Sequence, residues 1–137
     1  MANLKRHTIE LVSEVNGDEV VTVIYATPAF VSTQTTYEAM DIGEKMDKQA
    51  KYERALQDGK TVEELGEEPA TNKELFDTLV DFVVKLYDKQ FTKKELLAGL
   101  HGPGAFVILQ QHVAFVMTGT QSEQNTEMTK KFLARKA

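Results

Sequence analysis

Hydrophobic and polar residues alternate near the start of the chain, which predicts β-structure there. The alternation covers residues 8–15, and residues 20–26 form a second run rich in β-branched side chains. The apolar residues predicted to share one face of the first strand are Ile9, Leu11 and Val15. Pro28 should end the second strand, because proline has no backbone N–H to donate to a ladder.

The segment Asn16-Gly17-Asp18 between these two strands is typical of a hairpin turn. A two-residue loop would place Val15 opposite Asp18, whereas a four-residue loop would pair Val15 with Val20. We favour the longer loop, since it pairs two apolar side chains across the strands.

A helix-starting pattern occurs four times after the hairpin, each time as a threonine followed three residues later by a glutamate. The four pairs are Thr35 and Glu38, Thr61 and Glu64, Thr71 and Glu74, and Thr92 and Glu95. Each side chain of such a box satisfies a backbone N–H that lacks a partner at the helix start. The first box predicts a helix to about Leu56, and the second predicts at most a short helical turn before the exposed acidic linker at residues 67–69.

Two later helices are apolar around much of their circumference. One is opened by Thr71, and the other runs from about Ala105 to Met117, after a short helix over residues 93–100 and a break at Gly102-Pro103-Gly104. Beyond Gly119 the residues are polar and nearly aperiodic, which predicts a flexible tail over residues 120–137.

These elements predict an α+β protein that is mainly α, with an N-terminal β-hairpin followed by a bundle of about four helices. A single globular domain should cover residues 1–119, with the hairpin at 7–26 and the helical part at 35–117.

Composition and charge exclude several classes of function. The 137 residues include no cysteine, so disulfides, thiolate metal sites and cysteine nucleophiles are excluded. The net charge is −5, and residues 38–81 hold 13 acidic against 6 basic side chains, which disfavours nucleic-acid binding. No apolar run has the length of a membrane span, and the N-terminus lacks the apolar core of a signal peptide. We therefore expect an intracellular protein.

No recognisable catalytic group or metal site is present. The three histidines, His7, His101 and His112, form no metal-binding pair, and we expect His112 to flank the core or face solvent. The glycines near residue 102 lack the other residues of a phosphate-binding loop. We expect no enzymatic activity, no cofactor and no metal.

A helix-turn-helix over residues 96–115 is an alternative interpretation, because two helices joined at glycines have that motif's outline. The second helix disfavours it, since that helix offers mainly apolar side chains rather than polar ones for base edges. A small DNA-binding regulator therefore remains the second hypothesis. A third is a small enzyme with an unrecognised pocket, for which the sequence offers no set of catalytic residues.

The remaining positive feature is an excess of apolar residues between Glu74 and Gly119. Core packing explains most such residues, but a helix that is apolar all round is hard to cover in a small domain, and uncovered patches mark partner sites. The residues that we predict to bind a partner are Tyr87, Phe91, Phe106, Leu109, Val113, Phe115 and Met117.

The run from Glu74 to Leu100 resembles the tail assembly chaperones of long-tailed (siphovirus-type) phages and prophages of Gram-positive bacteria. The most specific part is Tyr87-Asp88-Lys89-Gln90-Phe91-Thr92, an aromatic-Asp-x-Gln-Phe-Thr element before a short helix that ends in Gly-Leu. An N-terminal β-segment followed by helices is also similar in outline to that family.

The resemblance implies a non-enzymatic assembly factor in the host bacterial cytoplasm that is absent from the mature virion. Its implied partners are the tape measure protein, which it keeps soluble, and the tail tube protein, which it reaches through a longer frameshifted product. Self-association is also expected. Binding to nucleic acid or to a membrane is not expected. Residues 129–132 permit slippery codons for such a frameshift.

Overall fold

The computed structural model describes residues 4–136, which form a two-stranded antiparallel hairpin followed by six helices. The elements are β1 (Thr8–Asn16), β2 (Glu19–Ala26), α1 (Thr33–Gln57), α2 (Val62–Leu65), α3 (Asn72–Leu86), α4 (Lys93–Gly99), α5 (Ala105–Thr118) and α6 (Glu123–Lys136). The mainly helical α+β class is confirmed. The expected number of about four helices is too low, because the described residues also form the one-turn helix α2 and the C-terminal helix α6.

Three of the four predicted threonine caps are confirmed. The side chains of Thr61, Thr71 and Thr92 each accept a hydrogen bond from the backbone N–H three residues later, and Thr92 with Glu95 forms a complete capping box. The prediction for Thr35 is wrong. Helix α1 begins at Thr33 with Ser32 at the cap position, so Thr35 already lies inside the first turn.

The hairpin confirms the predicted pairing of Val15 with Val20. The loop is shorter than expected, since Asn16 also pairs with Glu19, and Gly17 supports the tight reversal with a φ of 64°. A bulge between Val12 and Glu14 leaves an extra residue in β1. Because side chains alternate across a sheet, that extra residue moves Val15 to the face opposite Ile9 and Leu11, and Val15 is exposed rather than buried.

Helix α3 lies at the centre of the core and packs against α1, α4 and α5. Leu79 and Val83 of α3 are completely buried, as are Leu96 of α4 and Leu109 of α5. The wide apolar surface predicted for α3 thus has a packing explanation, because neighbours cover it on several sides.

Helix α4 packs closely on β1 at Gly99. A Cβ atom at this position would lie 2.8 Å from the carbonyl oxygen of Val12 and 3.1 Å from Cβ of Leu11. Only glycine therefore allows the helix to approach the strand so closely.

The structure contradicts the prediction of a flexible tail over residues 120–137. Residues Glu123–Lys136 form α6, which packs against both hairpin strands. Asn125 donates from Nδ2 to the carbonyl of Thr8 (2.6 Å) and accepts from the Thr8 N–H (3.1 Å), and the Thr129 hydroxyl lies 3.0 Å from that of Thr8. These buried contacts are polar, so the residues that make them show no hydrophobic periodicity in the sequence. As a result, the predicted domain limit at residue 119 leaves out a helix that packs on the hairpin.

Candidate functional site

The α3–α4 joint, residues 87–92, contains the element on which the sequence resemblance rests. Asp88 and Lys89 both have positive φ, 54° and 59°, a conformation that costs about 1 kcal/mol or more per residue outside glycine. The Gln90 side chain donates to the carbonyl of Ala26 (2.8 Å) and so ties the joint to β2. Phe91 is buried with its ring 5.0 Å from that of Tyr25. The element therefore fixes how the helices join the hairpin.

A buried polar cluster lies beneath this joint. The Tyr87 hydroxyl is 2.7 Å from Nε2 of His112, whose Nδ1 donates to the carbonyl of Ile108 (2.8 Å). That carbonyl can only accept, so Nδ1 carries a proton, and because burial holds the pKa of His112 at about 4, Nε2 is unprotonated near neutral pH and accepts from Tyr87. Burial raises the pKa of Tyr87 and lowers the pKa of His112 to about 4, although the hydrogen bond to Ile108 opposes the second shift.

His7 belongs to the same cluster and has neither ring nitrogen hydrogen-bonded. Its ring lies 4.3 Å from that of His112 and 4.8 Å from that of Phe115. Burial, together with His112 and Lys5, lowers the pKa of His7 to about 3. The expectation that His112 flanks the core or faces solvent is wrong, because His112 is completely buried.

The seven residues predicted to bind a partner do not form one exposed surface. Five of them are buried in this structure and offer no surface to a partner: Tyr87, Phe91, Leu109, Val113 and Phe115. Phe106 is half-buried and stacks on Phe76 at 6.2 Å. Met117 alone of the seven is an exposed side chain, at 39%. The apolar excess that motivated the prediction is thus mostly core.

A surface that the sequence prediction missed surrounds Met117, and we call it the aromatic patch: Leu4, Phe30, Tyr37, Met40 and Met117. All five side chains are exposed, Phe30 at 71% and Tyr37 at 63%. The sequence did indicate that Tyr37 and Met40 are exposed, because neither belongs to the apolar stripe of α1 that contains Ala39 and Ile42.

Contacts between α1, α5, the loop before α1 and the N-terminal segment bring the aromatic patch together, and Leu4 and Phe30 line one pocket with Thr36 and Val116. Thr36 donates to the carbonyl of Val116 (3.4 Å), and the sulfur of Met117 lies 3.6 Å from where a Cβ of Gly43 would be. Met40 is four residues after Thr36 and three before Gly43, so it lies on the same side of α1. Lys5 donates to the carbonyl of Gly119 (2.6 Å), which places the N-terminal segment beside the end of α5.

The hairpin also exposes apolar side chains away from the core, on both of its faces. Val15 and Val20 lie on one face, and Val21 and Val23 lie on the other. A groove of about 590 Å³ runs between the hairpin, the α4–α5 connection and α6. About half of the residues that line this groove are polar, among them Glu10, Gln111 and Gln124.

The helix-turn-helix alternative finds no support in this arrangement. Helix α5, which would have to be the recognition helix, packs on both α1 and α3. Within residues 4–136 no group of histidine and acidic side chains could hold a metal ion, and no described helix is long and apolar enough to cross a membrane.

The model of the phage tail chaperone protein family matches residues 6–136, which is nearly the whole chain. The chain belongs to the phage tail chaperone family. A search of curated proteins and a search of solved structures each found no match. The matched residues include those of α6, so the match is not confined to the hairpin and the helices before it.

Membership supports a role in phage tail assembly and binding to phage tail proteins. It does not name a binding surface. Among the residues that the structure describes, the aromatic patch offers five exposed large apolar side chains, whereas the four exposed valines of the hairpin are divided between its two faces.

Proposed function

We propose that the protein is a non-enzymatic tail assembly chaperone that binds the tape measure protein, keeps it soluble and helps to recruit tail tube subunits. The observation that carries this proposal is the family match over residues 6–136. The protein would act in the host bacterial cytoplasm and be absent from the mature virion. Tube recruitment would use a longer frameshifted product.

We assign client binding to the aromatic patch. Exposed aromatic side chains supply large apolar contact area and dominate the energetics of many interfaces. The two methionines add unbranched side chains that adapt to different partner shapes, which suits a surface that must accept successive apolar segments of a long client. The groove beside the hairpin fits this role less well, because none of the residues that line it is a phenylalanine or a tyrosine.

Co-expression with the tape measure protein of the same phage or prophage tests the proposal. Size-exclusion chromatography with light scattering should find a soluble complex with several copies of the chaperone per client. The double variant Phe30→Ser/Tyr37→Ser should lose this complex yet remain folded, since both side chains are exposed and contribute little to the core.

Val62→Ser/Leu97→Ser is the matched control, because it also removes two exposed apolar side chains, but outside the aromatic patch. It should retain the client. If the client precipitates with the unmodified chaperone as it does alone, the proposed function is wrong. If both double variants retain the client, chaperoning stands and the assigned surface is wrong.

Sequencing the coding DNA tests the longer product separately. We expect a slippery heptanucleotide sequence near the end of this reading frame, followed by an overlapping downstream frame. Absence of such a sequence would remove tube recruitment through a frameshifted product, without affecting client binding.

A further inference from the structure

The outer edge of β1, which does not pair with β2, borders the groove beside the hairpin. At Thr8 this edge is already paired with a side chain. The Thr8 N–H donates to Oδ1 of Asn125 (3.1 Å), and the Thr8 carbonyl accepts from Nδ2 of the same side chain (2.6 Å). The Asn125 carboxamide therefore takes the position that a peptide group of a neighbouring strand would have. Both residues line the groove.

The strand pairing shows that Glu10 has the same orientation as Thr8. In an antiparallel pair, residues whose N–H and C=O bond to the partner strand alternate with residues whose groups turn away from it. Thr8 pairs with Ala26 and Glu10 with Ile24, with no bulge between them. The N–H and C=O of Glu10 therefore also turn to the outer edge. Among the hydrogen bonds of residues 4–136, none joins either group to a residue outside the hairpin.

The outer edge is covered on both sides of Glu10. Asn125 covers Thr8, and α4 covers Val12, whose carbonyl oxygen would lie 2.8 Å from a Cβ of Gly99. Thr8 and Val12 are four residues apart, which is about 14 Å along a strand. The uncovered part of the edge is therefore short and centred on Glu10, and the groove of about 590 Å³ lies against it.

Glu10 also gives the groove a negative charge without a counter-ion. Among the described residues that line the groove, Glu10 is the only acidic one, and none is a lysine or an arginine. Its carboxylate accepts from the Thr22 hydroxyl (2.9 Å) but belongs to no ion pair within residues 4–136. Leu100 and Ile108, which pack against the core, line the same groove. The groove thus combines an unpaired peptide edge, a carboxylate and apolar side chains.

We propose that the groove binds a short extended segment of a partner protein, which pairs with β1 through the N–H and C=O of Glu10. Addition of a strand to a free sheet edge is a recurrent mode of peptide recognition, and it would give both backbone groups a partner.

The groove also determines which side chains the segment carries. The residue opposite Glu10 points its side chain to the same face as the Glu10 carboxylate, so a lysine or arginine there forms a cross-strand pair of opposite charge. The residues before and after it point to the other face, which Ile9 shares with the core. The segment is therefore apolar, basic and apolar in sequence.

Nuclear magnetic resonance of the isotope-labelled full chain, titrated with the peptide acetyl-Thr-Val-Lys-Val-Thr-amide, tests the proposal. In the protein alone, the N–H of Glu10 should exchange with solvent faster than that of Leu11, which turns to β2. The peptide should shift the Glu10 signal, slow its exchange and bind with a Kd of about 1 mM or tighter. The same peptide with an N-methyl group on the lysine nitrogen cannot donate there and should bind about tenfold more weakly or worse.

Glu10→Lys tests the choice of charge. The unmodified chain should bind the lysine peptide about two- to fivefold more tightly than the same peptide with glutamate at its centre, and Glu10→Lys should reverse this order. Glu14→Lys is the matched control, because Glu14 is an exposed acidic residue of the same strand that does not line the groove. It should keep the preference for lysine. Circular dichroism checks that both variants are folded.

Three results would overturn the proposal: no shift at Glu10 with up to about 10 mM peptide, equal binding of the N-methylated peptide, or an unchanged charge preference in Glu10→Lys. If the Glu10 signal changes only when the protein itself is concentrated, a second copy occupies the edge and the proposal is also wrong. The groove shares no residue with the aromatic patch, so Phe30→Ser/Tyr37→Ser should bind the peptide like the unmodified chain. Loss of the client in that variant leaves this test unaffected.

Discussion

Lowering the pH from about 7 to about 5 should reduce the free energy of unfolding, and the buried histidines His7 and His112 set the size of the effect. Their pKa values in the folded protein are about 3 and about 4, below the ordinary value of 6.5. At the lower pH the unfolded chain binds a proton at each histidine, whereas the folded protein keeps both neutral. Their contribution is therefore fully present above the unfolded pKa and is lost as the pH falls towards the folded values.

The magnitude follows from the difference in bound protons. For each histidine, proton binding to the unfolded chain over this pH interval favours unfolding by about 2 kcal/mol. The two together amount to about 4 kcal/mol, a large part of the 5–15 kcal/mol that is typical for a domain. Urea denaturation at both pH values, followed by circular dichroism, measures this loss directly.

His7→Phe isolates one of the two contributions. Neither ring nitrogen of His7 has a hydrogen-bond partner, so the change breaks no hydrogen bond and keeps the aromatic contacts with His112 and Phe115. The variant should lose about 2 kcal/mol over the same interval instead of about 4. His101→Phe, at an exposed position, should behave like the unmodified protein. If His7→Phe loses as much stability as the unmodified protein, proton uptake by His7 is not the cause and the reasoning is refuted.

Two further predictions concern the packing of α6 and α4. Asn125→Ala should destabilise the protein by about 2–4 kcal/mol, because it leaves the buried N–H and carbonyl of Thr8 without the Asn125 side chain; a stability loss below about 0.5 kcal/mol in urea denaturation would contradict this. Gly99→Ala should cost about 1–3 kcal/mol, because its Cβ would press on the carbonyl of Val12. Gly43→Ala is the matched control and should be neutral or stabilising by up to about 1 kcal/mol, since its Cβ meets only the flexible Met117 and alanine favours a helix. Equal losses in the two glycine variants, measured by thermal unfolding, would argue against the close approach of α4 to β1.

Features that depend on neighbours in sequence were predictable. A cap joins residues three positions apart, so Thr61, Thr71 and Thr92 could be identified without knowledge of the fold. The pairing of Val15 with Val20 was also predictable, since apolar residues across a short loop favour one register. A local pattern can still fail, as at Thr35: helix α1 begins before this residue, so Thr35 lies inside the first turn rather than at the cap position.

Which apolar side chains are exposed was not predictable in the same way. An apolar helical residue is core or surface depending on which elements pack against it, and periodicity gives no information about those partners. Phe115 and Met117 are two residues apart in α5, yet one is buried in the cluster around His7 and the other is exposed beside α1. The sequence prediction therefore included Phe115, which is buried, and did not include Phe30, which is exposed and lies in a loop without periodicity.

The sequence by itself thus determined the class of fold, the order of most elements and the family resemblance, because these depend on local propensity, hydrophobic periodicity and a short contiguous motif. Only the tertiary structure decided which apolar side chains remain exposed, how α6 is held on the hairpin and that two histidines are buried. These properties arise from contacts between residues far apart in the chain, such as Asn125 with Thr8 and His112 with His7. No spacing within a single element encodes such contacts.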